Sequence, residues 1–144
     1  MECLDASVVV KWFKTNEEHT KEAYELYERG IDRTEYVVSE WLILEFARGL
    51  LKAEAPKESV SESCRVLETL FSSGIIKLLT VSEVLSLAKD LEIELNLHAA
   101  DAVHLATAIK AGCSAFWTED DHLHKRKVVE YANGFGLKIK KLGL

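Results

Sequence analysis

Four carboxylates stand where carboxylates are expensive: Asp5, Glu45, Asp101 and Asp120. Asp5 ends a short apolar run, directly before Ala6-Ser7 and the apolar stretch Val8–Phe13. An acid there reads either as a helix N-cap or as a ligand. Glu45 lies inside Trp41-Leu42-Ile43-Leu44-Glu45-Phe46-Ala47. Charged groups are seldom buried unless paired or bound to metal, because desolvation costs several kcal/mol per ion. Arg48, three residues on, offers Glu45 an intrahelical partner. Asp101 sits among small apolar residues in Leu97-His98-Ala99-Ala100-Asp101-Ala102-Val103-His104. As a first-turn acid it would gain from the helix dipole. Its histidine neighbours, His98 at i−3 and His104 at i+3, are either direct ligands or ordinary packing and hydrogen-bonding groups. Glu119, Asp120 and Asp121 follow an apolar run and form either a solvated turn or a ligand cluster.

Carboxylates brought to one place repel unless protonated or neutralised by cations. All-oxygen ligation suits the hard ions Mg²⁺ and Mn²⁺. A pair of such ions can bridge a phosphodiester, activate water and stabilise the leaving oxygen.

The elements that would position these acids alternate. Short apolar runs at Glu2–Leu4, Tyr36–Val38, Ile75–Leu79, Ser114–Thr118 and Leu137–Lys141 read as strands. Between them lie helical patterns at Asn16–Arg29, Glu40–Ala55, Lys57–Ser73, Ser82–Leu95, Leu97–Ala111 and Asp121–Ala132. Ser39 is placed to cap a helix, Pro56 to open one, and Gly74 and Gly112 to stop two. Strand–helix alternation predicts a three-layer α/β/α fold with a mainly parallel sheet of four to five strands. In such folds ligands bind beyond the carboxyl ends of the strands, where strand order switches.

The chain has 144 residues, which predicts a single domain over residues 1–144. Hydrophobic residues make up 48% and charged residues 29%, a globular composition. Three cysteines, Cys3, Cys64 and Cys113, without CxxC spacing argue against a disulfide framework or a structural zinc site. No basic segment precedes the apolar start, and no uncharged run reaches the roughly 18 residues of a membrane span, so a cytoplasmic protein with no membrane partner is expected. The formal charge of −6 speaks against an open basic nucleic-acid surface, though not against nucleic acid handled through metal ions. The basic stretches Lys125-Arg126-Lys127 and Lys138–Lys141 read as solvated faces or as backbone contacts. Trp12, Phe13 and Trp117 read as packing or as stacking surfaces.

Taken together these segments resemble the PIN-domain nucleases, and most closely the small VapC-like toxins, over essentially the whole chain. LDASVVVKWF resembles the first motif, with Asp5 as its acid and Ser7 its hydroxyl; SEWLILEFARGL resembles the second, with Glu45. HAADAVHLATAIKAGC resembles the third, with Asp101, and WTEDDHL the Thr-x-Asp motif, with Thr118 and Asp120. Arg48 stands where a small polar residue is frequent, and Glu119 where Asn is common. The resemblance implies a Mg²⁺- or Mn²⁺-dependent endoribonuclease, a phosphodiester hydrolase acting on single-stranded RNA. It further implies a homodimer and, for toxin members, a cognate antitoxin. Asp5, Asp101 and Asp120 would bind one metal, Glu45 would join a second or act through water, and Ser7 and Thr118 would orient the ligands. The alternative is a non-catalytic PIN module serving RNA binding or protein–protein interaction. A phosphatase using Asp5 as nucleophile lacks the Asp-x-Asp it would need, and no GxxxxGK or GxGxxG loop is present.

Overall fold

In the computed structural model, which describes residues 1–14, 18–33 and 35–144, each apolar run becomes a strand. β1 is Glu2–Leu4, β2 Tyr36–Ser39, β3 Ile76–Leu79, β4 Ala115–Trp117 and β5 Lys138–Lys140. The helices are α1 (Ala6–Val9), α2 (Thr20–Ile31), α3 (Leu42–Lys52), α4 (Lys57–Ser72), α5 (Val81–Leu95), α6 (Ala99–Lys110) and α7 (Arg126–Asn133). All five strands are parallel, in the order β3-β2-β1-β4-β5. The chain builds outward from β1 through β2 to β3, then returns to lay β4 on the other side of β1. The strand order therefore switches between β1 and β4, and the loops after these two strands flank that crevice.

Alternation along the strands feeds two cores. Cys3, Val37 and Phe116 face α5, α6 and α7, whereas Leu4, Tyr36, Val38 and Ile76 face α1 to α4. This is the expected three-layer α/β/α arrangement with the sheet at its upper strand count.

Several boundaries move for local reasons. Ser39 ends β2 instead of lying outside it, yet its Oγ still accepts from the Trp41 N–H at 3.1 Å, just ahead of α3. α5 begins at Val81, one residue before the expected Ser82, because Thr80 and Glu83 form a reciprocal capping box. It ends at Asn96, whose φ of 54° is left-handed and turns the chain back into α6. The helix expected over Asp121–Ala132 is broken. A 3₁₀ turn spans Asp121–His124, Lys125 is extended, and α7 starts only at Arg126. The helix start expected at Asn16 lies outside the described residues.

Gly30 is dictated by packing. A Cβ there would meet Tyr36 Cε2 at 1.9 Å, and the Tyr36 ring is pinned by its hydroxyl donating to the Leu26 carbonyl. Gly30→Ala is therefore expected to destabilise by about 1–3 kcal/mol despite Ala's better helix propensity. Urea unfolding would check this, and an unchanged midpoint would show that the ring can give way.

A candidate metal centre at the strand switch point

The loop after β1 delivers Asp5, and its carboxylate is tightly held. Oδ1 accepts from the Ala6 N–H at 2.8 Å, so Asp5 does cap α1. Oδ2 accepts from Ser7 Oγ at 2.9 Å and from Thr118 Oγ1 at 2.7 Å. The two hydroxyls then reach across the crevice. Ser7 Oγ accepts from the Glu119 N–H at 3.0 Å, and Thr118 Oγ1 accepts from the Asp120 N–H at 3.1 Å. His124 Nε2 contacts the Thr118 carbonyl at 2.8 Å and ties down the same loop. Asp5 and the segment after β4 are thus locked as one unit, with Thr118 fully buried at its centre.

That lock sorts the three consecutive acids. Glu119 turns away to accept from the Leu142 N–H at 2.8 Å, and Asp121 pairs with Lys141 at 2.8 Å. Asp120 is left to hydrogen-bond with Asp101, while its own Oδ1 accepts from the His122 N–H at 2.9 Å.

Asp101 lies in the first turn of α6 and is buried. Burial, then the charge and hydrogen bond of Asp120, then the charges of Asp5 and Glu45, push its carboxyl up to about 7. Asp101 thus keeps its proton up to near neutrality.

Glu45 comes from α3 and is half-buried. Its partner is not Arg48, the intrahelical possibility, which is exposed; it is His104 of α6, hydrogen-bonded through Nε2. The same nitrogen lies 3.6 Å from Asp5 Oδ1. Burial alone would lower the His104 pKa, but the Glu45 hydrogen bond and the charges of Asp5, Glu45 and Asp101 outweigh it and raise it. His98, the other flanking histidine, is the N-cap of α6 rather than a helical residue. It therefore leaves the Asp101 face and packs edge to face on His122, with ring centroids 5.9 Å apart.

All four predicted acids are electrostatically coupled at one rim. Among the described residues no Lys or Arg pairs with any of them. Burial and then the neighbouring acids keep the proton on Asp101, and an oxygen-rich donor set of this kind fits a hard divalent cation. Asp5, Glu45 and His104 have donor atoms within 4.8 Å of one another. The aromatic residues named as possible stacking surfaces are spent on packing. Trp12 lies edge-on to Tyr27 at 5.1 Å, Phe13 edge-on to Phe46 at 4.9 Å, and the Trp117 indole donates to Glu2. The basic stretches are partly committed too, Lys141 to Asp121 and Arg126 to Glu130, while Lys140 sits 5.2 Å from the Trp117 ring.

The fold is shared with solved structures of low sequence identity. VapC20 of Mycobacterium tuberculosis, described as a sarcin-ricin loop cleaving toxin, superposes with a TM-score of 0.67 at 14% identity, over 83% of this chain and 90% of that one. VapBC2 from Rickettsia felis, solved on a promoter DNA fragment, gives 0.66 at 12% identity and 97% coverage of both chains. A toxin–antitoxin complex from Klebsiella pneumoniae gives 0.62 at 17% identity, over 83% and 87%. Comparison with curated protein sequences yields no match. At the level of sequence families, the model described as PIN domain matches residues 3–129, a span that takes in all four acids and both hydroxyls on Asp5, and the chain therefore belongs to the PIN domain family.

Proposed function

We propose that this protein is a divalent-metal-dependent endoribonuclease that cuts single-stranded RNA, and that it serves as the toxin of a toxin–antitoxin pair. The observation that carries the reading is the convergence of Asp5, Glu45, Asp101 and Asp120, whose mutual charges act on a buried Asp101. Asp5, Asp101 and Asp120 would hold the first cation, with Glu45 beside them. A cation there would offset the acids, activate water and stabilise the leaving oxygen. Asp101 would give up its proton on binding. Ser7 and Thr118 would keep Asp5 fixed while the charge changes. Water attacking phosphorus in line, with the P–O3′ bond breaking, would leave a 3′-hydroxyl and a 5′-phosphate.

The test is cleavage of end-labelled single-stranded RNA with Mn²⁺ or Mg²⁺, with EDTA, and with single-stranded DNA of the same sequence. Cleavage of RNA that EDTA stops is the expected result. RNA bound but left intact under every metal condition would favour the non-catalytic module instead.

The toxin reading takes its support from the neighbours described as a toxin–antitoxin complex and as a sarcin-ricin loop cleaving toxin. No helix among the described residues is long and apolar enough to cross a membrane. A second copy of the chain is the other expected partner. Where α3, α4, β3 and α5 meet, the exposed Trp41, Leu44 and Leu78 line an open groove of about 540 Å³ together with Phe71 and Val81. Contiguous apolar surface of this kind marks an association face. Light scattering should therefore give twice the chain mass for the wild type and the chain mass for the Leu44→Glu, Leu78→Glu double variant. A monomeric wild type would dispose of the dimer.

A further inference from the structure

His104 is grouped by distance with Asp5 and Glu45 as a third metal ligand, but its second ring nitrogen argues otherwise. The side chain is 1% exposed. Nε2 faces Glu45 and Asp5, while Nδ1 is buried with no hydrogen-bond partner among the described residues. A ligating imidazole uses its lone pair on the metal and carries its proton on the other nitrogen, where a carboxylate, carbonyl or water almost always accepts it. Ligation through Nε2 would leave an N–H at Nδ1 with no acceptor among the described residues, a costly orphan. With the proton on Nε2, the donor faces two carboxylates and only a bare lone pair is left at Nδ1.

Resting on the metal-nuclease reading above, we propose that His104 is a positioning residue: it donates Nε2–H to Glu45 and holds that carboxylate beside Asp5, leaving the metal to oxygen ligands alone. Glu45 needs such a tether. Its side chain is 34% exposed and has no other hydrogen-bond partner among the described residues, so without His104 it would turn to solvent. α6 would then serve the centre twice from one face. Asp101 supplies a carboxyl, and one turn on His104 aims a carboxylate carried by α3.

Two substitutions separate this role from ligation and from bulk packing. His104→Gln can return an N–H near the Nε2 position, whereas His104→Leu fills the space with no donor. Mn²⁺ binding is read by electron paramagnetic resonance, with pulsed measurements for directly coordinated ¹⁴N and competition with Mg²⁺. The wild type is expected to show no directly bound nitrogen. The Leu variant should bind Mn²⁺ about 10–100-fold more weakly and Mg²⁺ weaker by the same factor, and the Gln variant should recover most of that loss. An imidazole ¹⁴N coupling in the wild-type complex would overturn the inference, as would a Leu variant that binds like the wild type or a Gln variant as weak as Leu. If the Leu variant does not fold, the wild-type spectrum and the Gln variant still decide. A wild type that binds no Mn²⁺ would instead bring down the metal-nuclease reading itself, an outcome visible before any variant is made.

Discussion

Asp101→Asn is expected to abolish metal-dependent RNA cleavage, a loss of about 10³-fold or more given the several kcal/mol that metal stabilisation supplies. The same substitution should make the metal-free protein more stable. Asp101 is buried against Asp120, with Asp5 and Glu45 near, and its carboxyl is moved from 3.8 to about 7. In the unfolded chain the proton leaves near the ordinary value; in the folded protein it stays until about 7. The folded state therefore binds more protons between roughly pH 4 and 7, and wild-type stability falls as pH rises through that window. Above it the charged Asp101 costs about 2–4 kcal/mol, which an uncharged isostere avoids. Urea unfolding in EDTA should show the variant gaining on the wild type from pH 4 to 7 and holding that lead above 7. Saturating Mn²⁺ should then close the gap, because a ligand at 100 times its Kd stabilises the native state by about 2.7 kcal/mol. Equal stability at pH 8 in EDTA would mean that the acids do not crowd Asp101 as described.

A gain in stability from removing a functional group is the signature of a site built against its own folding. It also explains why three of the four acids were legible in the sequence. Asp5, Glu45 and Asp101 are carboxylates in apolar settings, a local conflict between residue type and surroundings that ordinary packing would not retain, whereas Asp120 stood out only through its place after a strand. Strand–helix alternation was equally legible, because the period of the apolar residues changes along the chain.

What could not be read were relations between segments. Arg48 looked like the partner of Glu45 because only neighbours along a helix are visible in one dimension. The actual partner is His104, 59 positions away. The choice among Glu119, Asp120 and Asp121 was open for the same reason. In the structure Glu119 takes the Leu142 N–H and Asp121 pairs with Lys141, two partners that lie beyond β5. His98 and His104 seemed equivalent about Asp101 until the helix start was known. With α6 beginning at Ala99, the spacing of three carries helical meaning for His104 only.

Thr118 is where these long-range relations meet, and Thr118→Val is the sharpest test of the lock around Asp5. Valine keeps the shape and removes one hydroxyl, and that hydroxyl does two things. It donates to Asp5 Oδ2 at 2.7 Å and accepts from the Asp120 N–H at 3.1 Å. Losing it leaves a donor unpaired in the crevice and frees two candidate ligands at once. Substitutions of such supporting groups typically cost about 10–100-fold in metal affinity or activity. The unpaired N–H should also cost about 1–3 kcal/mol of stability. Ser7→Ala offers the comparison, since Ser7 also donates to Asp5 Oδ2 but accepts from the Glu119 N–H, and Glu119 is turned away from the site. Both variants loosen Asp5, whereas only Thr118→Val also releases Asp120. Mn²⁺ titration should therefore rank them with Thr118→Val the weaker binder. Thr118→Ser, which retains the hydroxyl, should stay close to the wild type. If Ser7→Ala proves the more damaging, the anchor of Asp5 lies on the α1 side, and the loop after β4 contributes only Asp120.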